Sequence, residues 1–373
     1  MDVAEFDFAL PDALIAQDPP ERRGESRLMV MRRDSGATAH TMFAELPDYL
    51  DAGDLLVLND TRVFPARLLG RRIPSGGAVE CLLTRQLPPL DDARGALSES
   101  RRATPNSQLP RENSEIWEAL VHPGQKLKPG SRVLFEGVDA ALHGEILERH
   151  FHGRRTVRLW TEDGTDLRNV VDRIGHIPLP PYIKREDRPS DRDRYQTVFA
   201  RERGSIAAPT AGLHFTDELL SRLSDRGVER VTISLHVGYG TFKPVRVDRV
   251  EEHVVDPERF VVSEAAASAI TRARREKRRV VAVGTTTTRA LETLDVAPDG
   301  HVAPTSGETS LFIYPGHRFR VVDAMITNFH LPRSSLLMLV AAFGGRQHVL
   351  KAYREAIACG YRFYSYGDAM IIL

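Results

Sequence analysis

The strongest constraint on the fold is a change of pattern along the chain. From about residue 177 to residue 373, apolar strand-like runs alternate with helical segments, which is typical of a three-layer α/β domain. Between about 63 and 176, short β-rich segments are separated by glycine or proline, which predicts a small barrel or sandwich. Within that region, residues 88–114 carry almost no large apolar side chain and predict a mobile loop.

The α/β pattern predicts individual elements. Strands are predicted at 54–60, 231–235, 279–283, 311–314, 320–326 and near 361–366, and a short strand-like alternation at 6–11. Helices are predicted at 216–226, where Thr216 provides the cap, at 264–277, where Ser263 provides it, from near 288, and at 334–343 and 346–358.

Composition limits the possible partners. The 51 basic and 51 acidic residues cancel, so only a local basic patch could bind nucleic acid. Two cysteines allow neither a disulfide framework nor a cysteine-rich zinc site, which fits a reducing cytosol. No apolar run approaches the roughly 20 residues of a membrane span, so we expect a cytoplasmic protein without membrane attachment. We also expect a monomer, although the sequence itself does not determine the oligomeric state.

Polar loops follow several predicted strands, and ligands of α/β sheets gather at such strand ends. A loop rich in small residues at 198–216 leads into a helix, and it could equally be a packing element. The turn 284–289 opens another helix, where unpaired N–H groups attract carboxylate or phosphate, although threonines also simply cap helices. The candidate substrate-binding residues of these loops are Thr210, Gly212, Phe215, Gly238, Gly240, Thr241, Gly284, Thr285, Thr286, Arg289 and Asn328.

Four histidines in the second half are candidate proton-transfer groups: His214, His236, His253 and His330. Each taken singly could be a structural histidine. They do not occur at helical i, i+4 spacing and no cysteine pair joins them, so we expect no metal. There is no Gly-x-Ser-x-Gly motif, which disfavours a serine hydrolase.

The order of these motifs resembles one family, the S-adenosylmethionine:tRNA ribosyltransferase-isomerases of queuosine biosynthesis. The resemblance covers nearly the whole chain and rests on residues 6–17, 53–67, 207–216, 235–244, 283–292, 312–316, 327–332 and 361–370. It implies an α/β domain formed by residues 1–62 and 177–373, interrupted by a small β-barrel at 63–176. Two departures are visible. The family usually has His-x-Met-His-x-Glu where this chain has Asp256 in place of the second histidine, between His253 and Glu258, and the polar loop at 88–114 resembles an insertion in the barrel, for which we expect no catalytic role.

The resemblance implies a pentosyl-type transferase and isomerase. It would move the ribosyl part of S-adenosylmethionine onto 7-aminomethyl-7-deazaguanine at the tRNA wobble position, giving epoxyqueuosine-tRNA, adenine and methionine. S-adenosylmethionine would be a consumed substrate, so no cofactor is expected. From residue type and placement we expect His214 or His236 to be the base, ahead of His253 and His330. We expect the 284–289 turn and Asn328 to hold the carboxylate or ribose of S-adenosylmethionine.

Three basic stretches could contact the tRNA: 149–158, 184–203 and 272–279. A solvated surface is the alternative for each. Two other classes of protein remain open at this stage. One is a non-catalytic RNA-binding module, and the other is a Rossmann-type methyltransferase that would yield S-adenosylhomocysteine.

Overall fold

The computed structural model describes residues 1–88, 114–242 and 245–373. Their contacts divide the chain into two compact units, Met1–Val63 with Leu179–Leu373, and Phe64–Pro178. Within this described part, no helix has both the length and the apolar character needed to cross a membrane.

The elements follow one another as strands β1–β17 and helices α1–α7. The strands are β1 Arg27–Met31, β2 Thr38–Met42, β3 Leu55–Asn59, β4 Thr61–Val63, β5 Arg67–Ile73, β6 Ala78–Leu87, β7 Ser114–His122, β8 Arg132–Glu136, β9 Ala141–Arg149, β10 Arg154–Trp160, β11 Glu202–Ser205, β12 Glu229–Leu235, β13 Glu258–Val262, β14 Val280–Val283, β15 Thr305–Thr309, β16 Ala324–Asn328 and β17 Ala369–Ile372. The helices are α1 Leu167–Ile174, α2 Asp191–Arg194, α3 Asp217–Asp225, α4 Glu264–Arg275, α5 Thr285–Thr293, α6 Ser335–Gly344 and α7 Arg346–Ala358.

The first unit contains a mixed sheet of nine strands in the order β15-β13-β12-β3-β14-β16-β17-β1-β2. Its interior strand β3 is buried on both faces. Leu55 and Val57 pack into the apolar core that also contains residues of α4 to α7. Leu56 and Leu58 pack on the opposite face with α3. This arrangement confirms the predicted three-layer α/β fold, since each sheet face is covered by helices.

Four neighbouring strands of this sheet, β12, β3, β14 and β16, run parallel. Their carboxyl ends therefore lie at one edge, and the polar loops predicted from the sequence follow β12, β14 and β16 there. The edge is also where the 3-10 helix Thr210–His214 leads into α3, whose first turn is capped by the Thr216 side chain accepting from Leu219 N at 3.1 Å.

The second unit is a closed barrel of six strands in the order β10-β7-β6-β5-β8-β9. Alternating residues such as Cys81, Leu83, Val157 and Leu159 fill its interior. The barrel and the large mixed sheet together confirm the predicted fold class. Residues 89–113 of the loop predicted near 88–114 lie outside the described residues.

Several predicted elements were wrong in detail. Residues 6–11 start in a 3-10 helix, Val3–Phe6, and continue without strand pairing, while 311–314 also form no strand. The last strand is β17 at Ala369–Ile372, not 361–366, because Tyr361 and Phe363 pack as isolated core side chains in a turn-rich segment. Strand β9 was not predicted. Its Gly144 and its charged residues obscure the alternation of apolar side chains.

Candidate active site

A cleft of about 530 Å³ opens at the shared strand edge of the first unit. We call it the strand-end cleft. Predicted residues that line it are Thr210, Gly284, Thr285, Thr286, Asn328 and His330. They come from three separate loops, so the parallel strands bring together residues that are more than 100 positions apart in sequence.

The start of α5 separates the four threonines of the 284–289 turn into two pairs. Gly284 has φ +95°, a backbone conformation that glycine adopts without strain, and it places the following residues at the beginning of the helix. Thr287 and Thr288 donate their hydroxyls back to the carbonyls of Val283 and Gly284, at 2.6 and 3.1 Å. Thr285 and Thr286 line the cleft, together with the unpaired N–H groups of the first helical turn.

Asn328, at the end of β16, is held by two hydrogen bonds. Its Nδ2 donates to the carbonyl of Tyr364 at 3.1 Å and to Nε2 of His214, also at 3.1 Å. The carbonyl fixes the orientation of the amide, since a carbonyl can only accept. Oδ1 of Asn328 is buried and has no hydrogen-bond partner among the described residues. A buried acceptor of this kind, on a residue that lines a cleft, fits a ligand that donates a hydrogen bond.

The same contacts fix the tautomer of His214. Because Nε2 accepts from Asn328, the proton resides on Nδ1, which donates to Oγ of Ser26 at 2.7 Å. Burial lowers the pKa of His214 from 6.5 to about 4, and burial lowers that of His330 to about 3. His214 does not line the strand-end cleft and both its nitrogens are occupied. Through these two hydrogen bonds His214 orients the Asn328 amide, and the role of base expected for His214 from the sequence stays a prediction.

The buried histidines predict an acid-sensitive stability. The unfolded chain binds a proton at His214 near pH 6.5, whereas the folded chain does so only near pH 4, so folding stability is lost as pH falls through this window. The shift corresponds to about 3 kcal/mol. We therefore measure the free energy of unfolding by urea denaturation at pH 7 and at pH 4. Its decrease between the two should be smaller in His214→Gln than in the unaltered protein, by about 3 kcal/mol. An identical pH dependence in both proteins would contradict the neutral buried state of His214.

Two tyrosines and a serine form a wall of the strand-end cleft that sequence reasoning missed. Tyr182 and Tyr364 lie edge to face with ring centroids 3.8 Å apart, and the Tyr182 hydroxyl hydrogen-bonds Ser365. Tyr364 has φ +74°, an unfavourable conformation for a bulky residue, of the kind that clusters at functional sites. The Pro180-Pro181-Tyr182 run and the 361–370 motif were visible in the sequence, but nothing there indicated that they meet.

A second cleft, of about 440 Å³, is lined by His253 and by Gly240, Asp256, Arg289 and other residues. We call it the His253 cleft, and Leu336 of α6 lines both clefts. His253 is half-buried, and its ring packs edge to face on Phe312 with centroids 5.0 Å apart. Asp256, the departure from the family pattern, therefore lies in the same cleft as His253.

A buried ion pair joins the first residue of β13 to α5. Arg289 donates to Oε2 of Glu258, and the side chains are 5% and 3% exposed. Oε1 of Glu258 accepts from the backbone N–H of Gly238 at 3.0 Å. Arg289 is thus committed to Glu258, and the pair holds the 238–240 segment in position beside the His253 cleft.

The remaining predicted residues lie away from the clefts. Nδ1 of His236 is 2.8 Å from Oγ1 of Thr61, and its ring lies against Gly204, where a Cβ atom would come within 2.7 Å of it. Burial lowers the pKa of His236. Gly212 is packed against Thr197, and Phe215 is fully buried in the apolar core. The side chain of Thr241 is outside the described part. The described residues contain no group of three or more histidine, cysteine or acidic side chains that could hold a metal ion.

Comparisons with known proteins agree with this architecture. The sequence profile described as "Queuosine biosynthesis protein" matches residues 3–372. The chain is 48% identical to an S-adenosylmethionine:tRNA ribosyltransferase-isomerase of Desulfitobacterium hafniense, with all of both chains covered. It is 50% identical to the protein of that name from Anaeromyxobacter dehalogenans, and the match covers all of this chain and 99% of the relative.

A solved structure is also similar. It is the crystal structure of S-adenosylmethionine tRNA ribosyltransferase from Thermotoga maritima, whose sequence is 36% identical to this chain. The match covers 99% of this chain and 100% of the other chain, with a TM-score of 0.52. The profile match spans almost the full length of the chain, and relatives well above 30% identity cover all of it. The chain therefore belongs to the queuosine biosynthesis protein family.

Proposed function

We propose that this chain is an S-adenosylmethionine:tRNA ribosyltransferase-isomerase. It transfers and isomerises the ribosyl part of S-adenosylmethionine onto 7-aminomethyl-7-deazaguanine at the wobble position of tRNA, giving epoxyqueuosine-tRNA, adenine and methionine. The full-length match to the family carries this proposal. The cleft at the carboxyl ends of the parallel strands supports it, because ligands of α/β folds bind there.

The strand-end cleft suits the amino-acid end of S-adenosylmethionine. The N-terminus of α5 offers unpaired N–H groups and the Thr285 and Thr286 hydroxyls to a carboxylate. The unpartnered Oδ1 of Asn328 can accept a hydrogen bond from an ammonium group. Carboxylate and ammonium are the two charged groups on the α-carbon of the methionine moiety, so one cleft matches both. S-adenosylmethionine is consumed and acts as a substrate.

The chemistry requires a base. Removal of a proton from the carbon beside the sulfonium gives an ylide that the sulfur stabilises, and adenine then leaves with help from a hydrogen-bond donor. The amine of the modified base attacks the sugar, and closure of the epoxide expels methionine. We assign the base to His253, because it is the histidine of the four that lines a cleft without full burial. His214 orients Asn328.

A product assay tests the function. The protein is incubated with S-adenosylmethionine and tRNA carrying 7-aminomethyl-7-deazaguanine, with guanine-bearing tRNA as the matched control, and products are separated by mass spectrometry. We expect adenine and methionine in equal amounts with the modified tRNA and neither with the control. S-adenosylhomocysteine would instead identify a methyltransferase, and binding of tRNA without any turnover would identify a non-catalytic RNA-binding module.

A further inference from the structure

An open groove of about 1230 Å³ lies at one end of the barrel, apart from both clefts described above. It is bounded by the connection after β7, which ends at His122, and by the connection between β9 and β10. Its lining contains the basic side chains of Lys126, Arg149 and Arg155 and the rings of His122, His150 and Phe151, and no carboxylate is among the described lining residues.

The floor of this barrel-end groove is a buried guanidinium. Arg155 is 1% exposed, and it donates to the carbonyls of Leu127 at 3.1 Å and Arg154 at 2.7 Å, and also to those of Gly124 and His150. Burial, followed by the nearby Arg149, lowers the pKa of Arg155. Carbonyls satisfy the hydrogen bonds of Arg155 but leave its net charge uncompensated, which favours an anion above it.

The rim adds two kinds of contact. Lys126 and Arg149 are exposed, and neither forms an ion pair with a residue that the structure describes. Phe151 is 88% exposed, which is unusual for an aromatic side chain. Cations beside an exposed ring form the combination that binds nucleic acid, since phosphates pair with the cations and bases stack on the ring.

The basic stretches at 272–279 and 184–203 differ from the groove, because many of their basic side chains form ion pairs with acidic residues. In the 272–279 stretch, Arg272 and Arg278 bind Glu229, and Arg279 binds Asp54. In the 184–203 stretch the ion pairs are Lys184 with Asp12, Arg185 with Asp191 and with Asp18, Arg188 with Asp18, and Arg201 with Asp60. These acids neutralise much of both stretches. In the 149–158 stretch Arg154 likewise pairs with Glu118, whereas Arg149 and the neighbouring Lys126 of the groove have no ion-pair partner among the described residues.

We propose that the barrel-end groove is a docking site for the tRNA, in which Lys126 and Arg149 contact backbone phosphates and Phe151 stacks on an unpaired base. This inference rests on the proposed function, which supplies tRNA as the partner. It adds a place on the barrel unit at which the tRNA is held.

The test compares Lys126→Ala/Arg149→Ala and Phe151→Ala with matched controls. Arg71→Ala removes an exposed arginine that Glu136 already neutralises, and Val138→Ala removes an exposed apolar side chain from the turn at the other end of β9. Affinity for precursor tRNA is measured by filter binding over a range of salt concentrations. Adenine release is measured in single turnover at saturating tRNA.

We expect the double variant to raise the Kd by about tenfold or more and to reduce the slope of log K against log salt by about 1.5 to 2. The Phe151 variant should raise the Kd by about 5-fold or more without changing the slope. Both controls should bind as the unaltered protein does, and adenine release at saturation should be retained throughout. Unchanged Kd and salt slope in the groove variants, with adenine release intact, would overturn the docking site alone. Failure of the unaltered protein to release adenine would instead overturn the proposed function.

Discussion

Replacing His253 with alanine is expected to slow adenine release in single turnover by about 10²–10⁴-fold, the usual contribution of a general base. His253 lines a cleft together with Asp256 and keeps part of its ring accessible. The sulfonium makes the adjacent proton acidic but does not remove it, so loss of the base should lower the rate at saturating substrate more than the affinity. Rates and tRNA affinity are measured on the same preparations.

The matched control is His236→Ala. Its ring lies between Thr61 and Gly204 and lines neither cleft, so we expect a rate close to that of the unaltered protein at a temperature where both variants are folded. Asp256→Asn provides a second comparison, because Asp256 lines the same cleft as His253. An unaltered rate for His253→Ala, or equal losses for His253→Ala and His236→Ala, would remove His253 as the base.

The sequence predicted which loops meet better than it predicted how the histidines in them are packed. Strand ends of a parallel sheet share one edge, so residues such as Thr210, Thr285 and Asn328 could be expected to meet. Whether a histidine is accessible depends on packing between distant segments. His214 is buried where distant segments of the chain meet. Its two nitrogens bond Ser26, which is 188 residues away, and Asn328, which is 114 residues away. No local pattern in the sequence contains that information.

The barrel shows the same limit. Glycine- and proline-separated β segments indicated a β unit, because short strands with turns between them are local features. Closure of the six strands was not predictable in this way, and β9 was missed. The groove at the barrel end depends on that closure, since it lies where the connection after β7 meets the one between β9 and β10.

The ion pair of Glu258 with Arg289 should be the most sensitive stabilising contact of the site. Both partners of the Glu258 side chain, the Gly238 N–H and the Arg289 guanidinium, are hydrogen-bond donors. In Glu258→Gln, the side-chain amide nitrogen, which is itself a donor, must face one of them. Arg289 would remain buried without a compensating charge. We expect the free energy of unfolding to fall by about 3–5 kcal/mol, measured by urea denaturation.

Two further variants show whether the loss comes from an uncompensated buried charge. Asp48→Asn breaks the ion pair with Arg226 in the same unit, where the side chains are 57% and 50% exposed, and should cost at most about 1 kcal/mol. Glu258→Gln combined with Arg289→Met removes the charge on both sides and should recover part of the stability. A loss in Glu258→Gln no greater than in Asp48→Asn would contradict the buried pair. Because Glu258 also holds Gly238, the single variant should lose activity at temperatures below its unfolding transition, which links the stability of this pair to the shape of the His253 cleft.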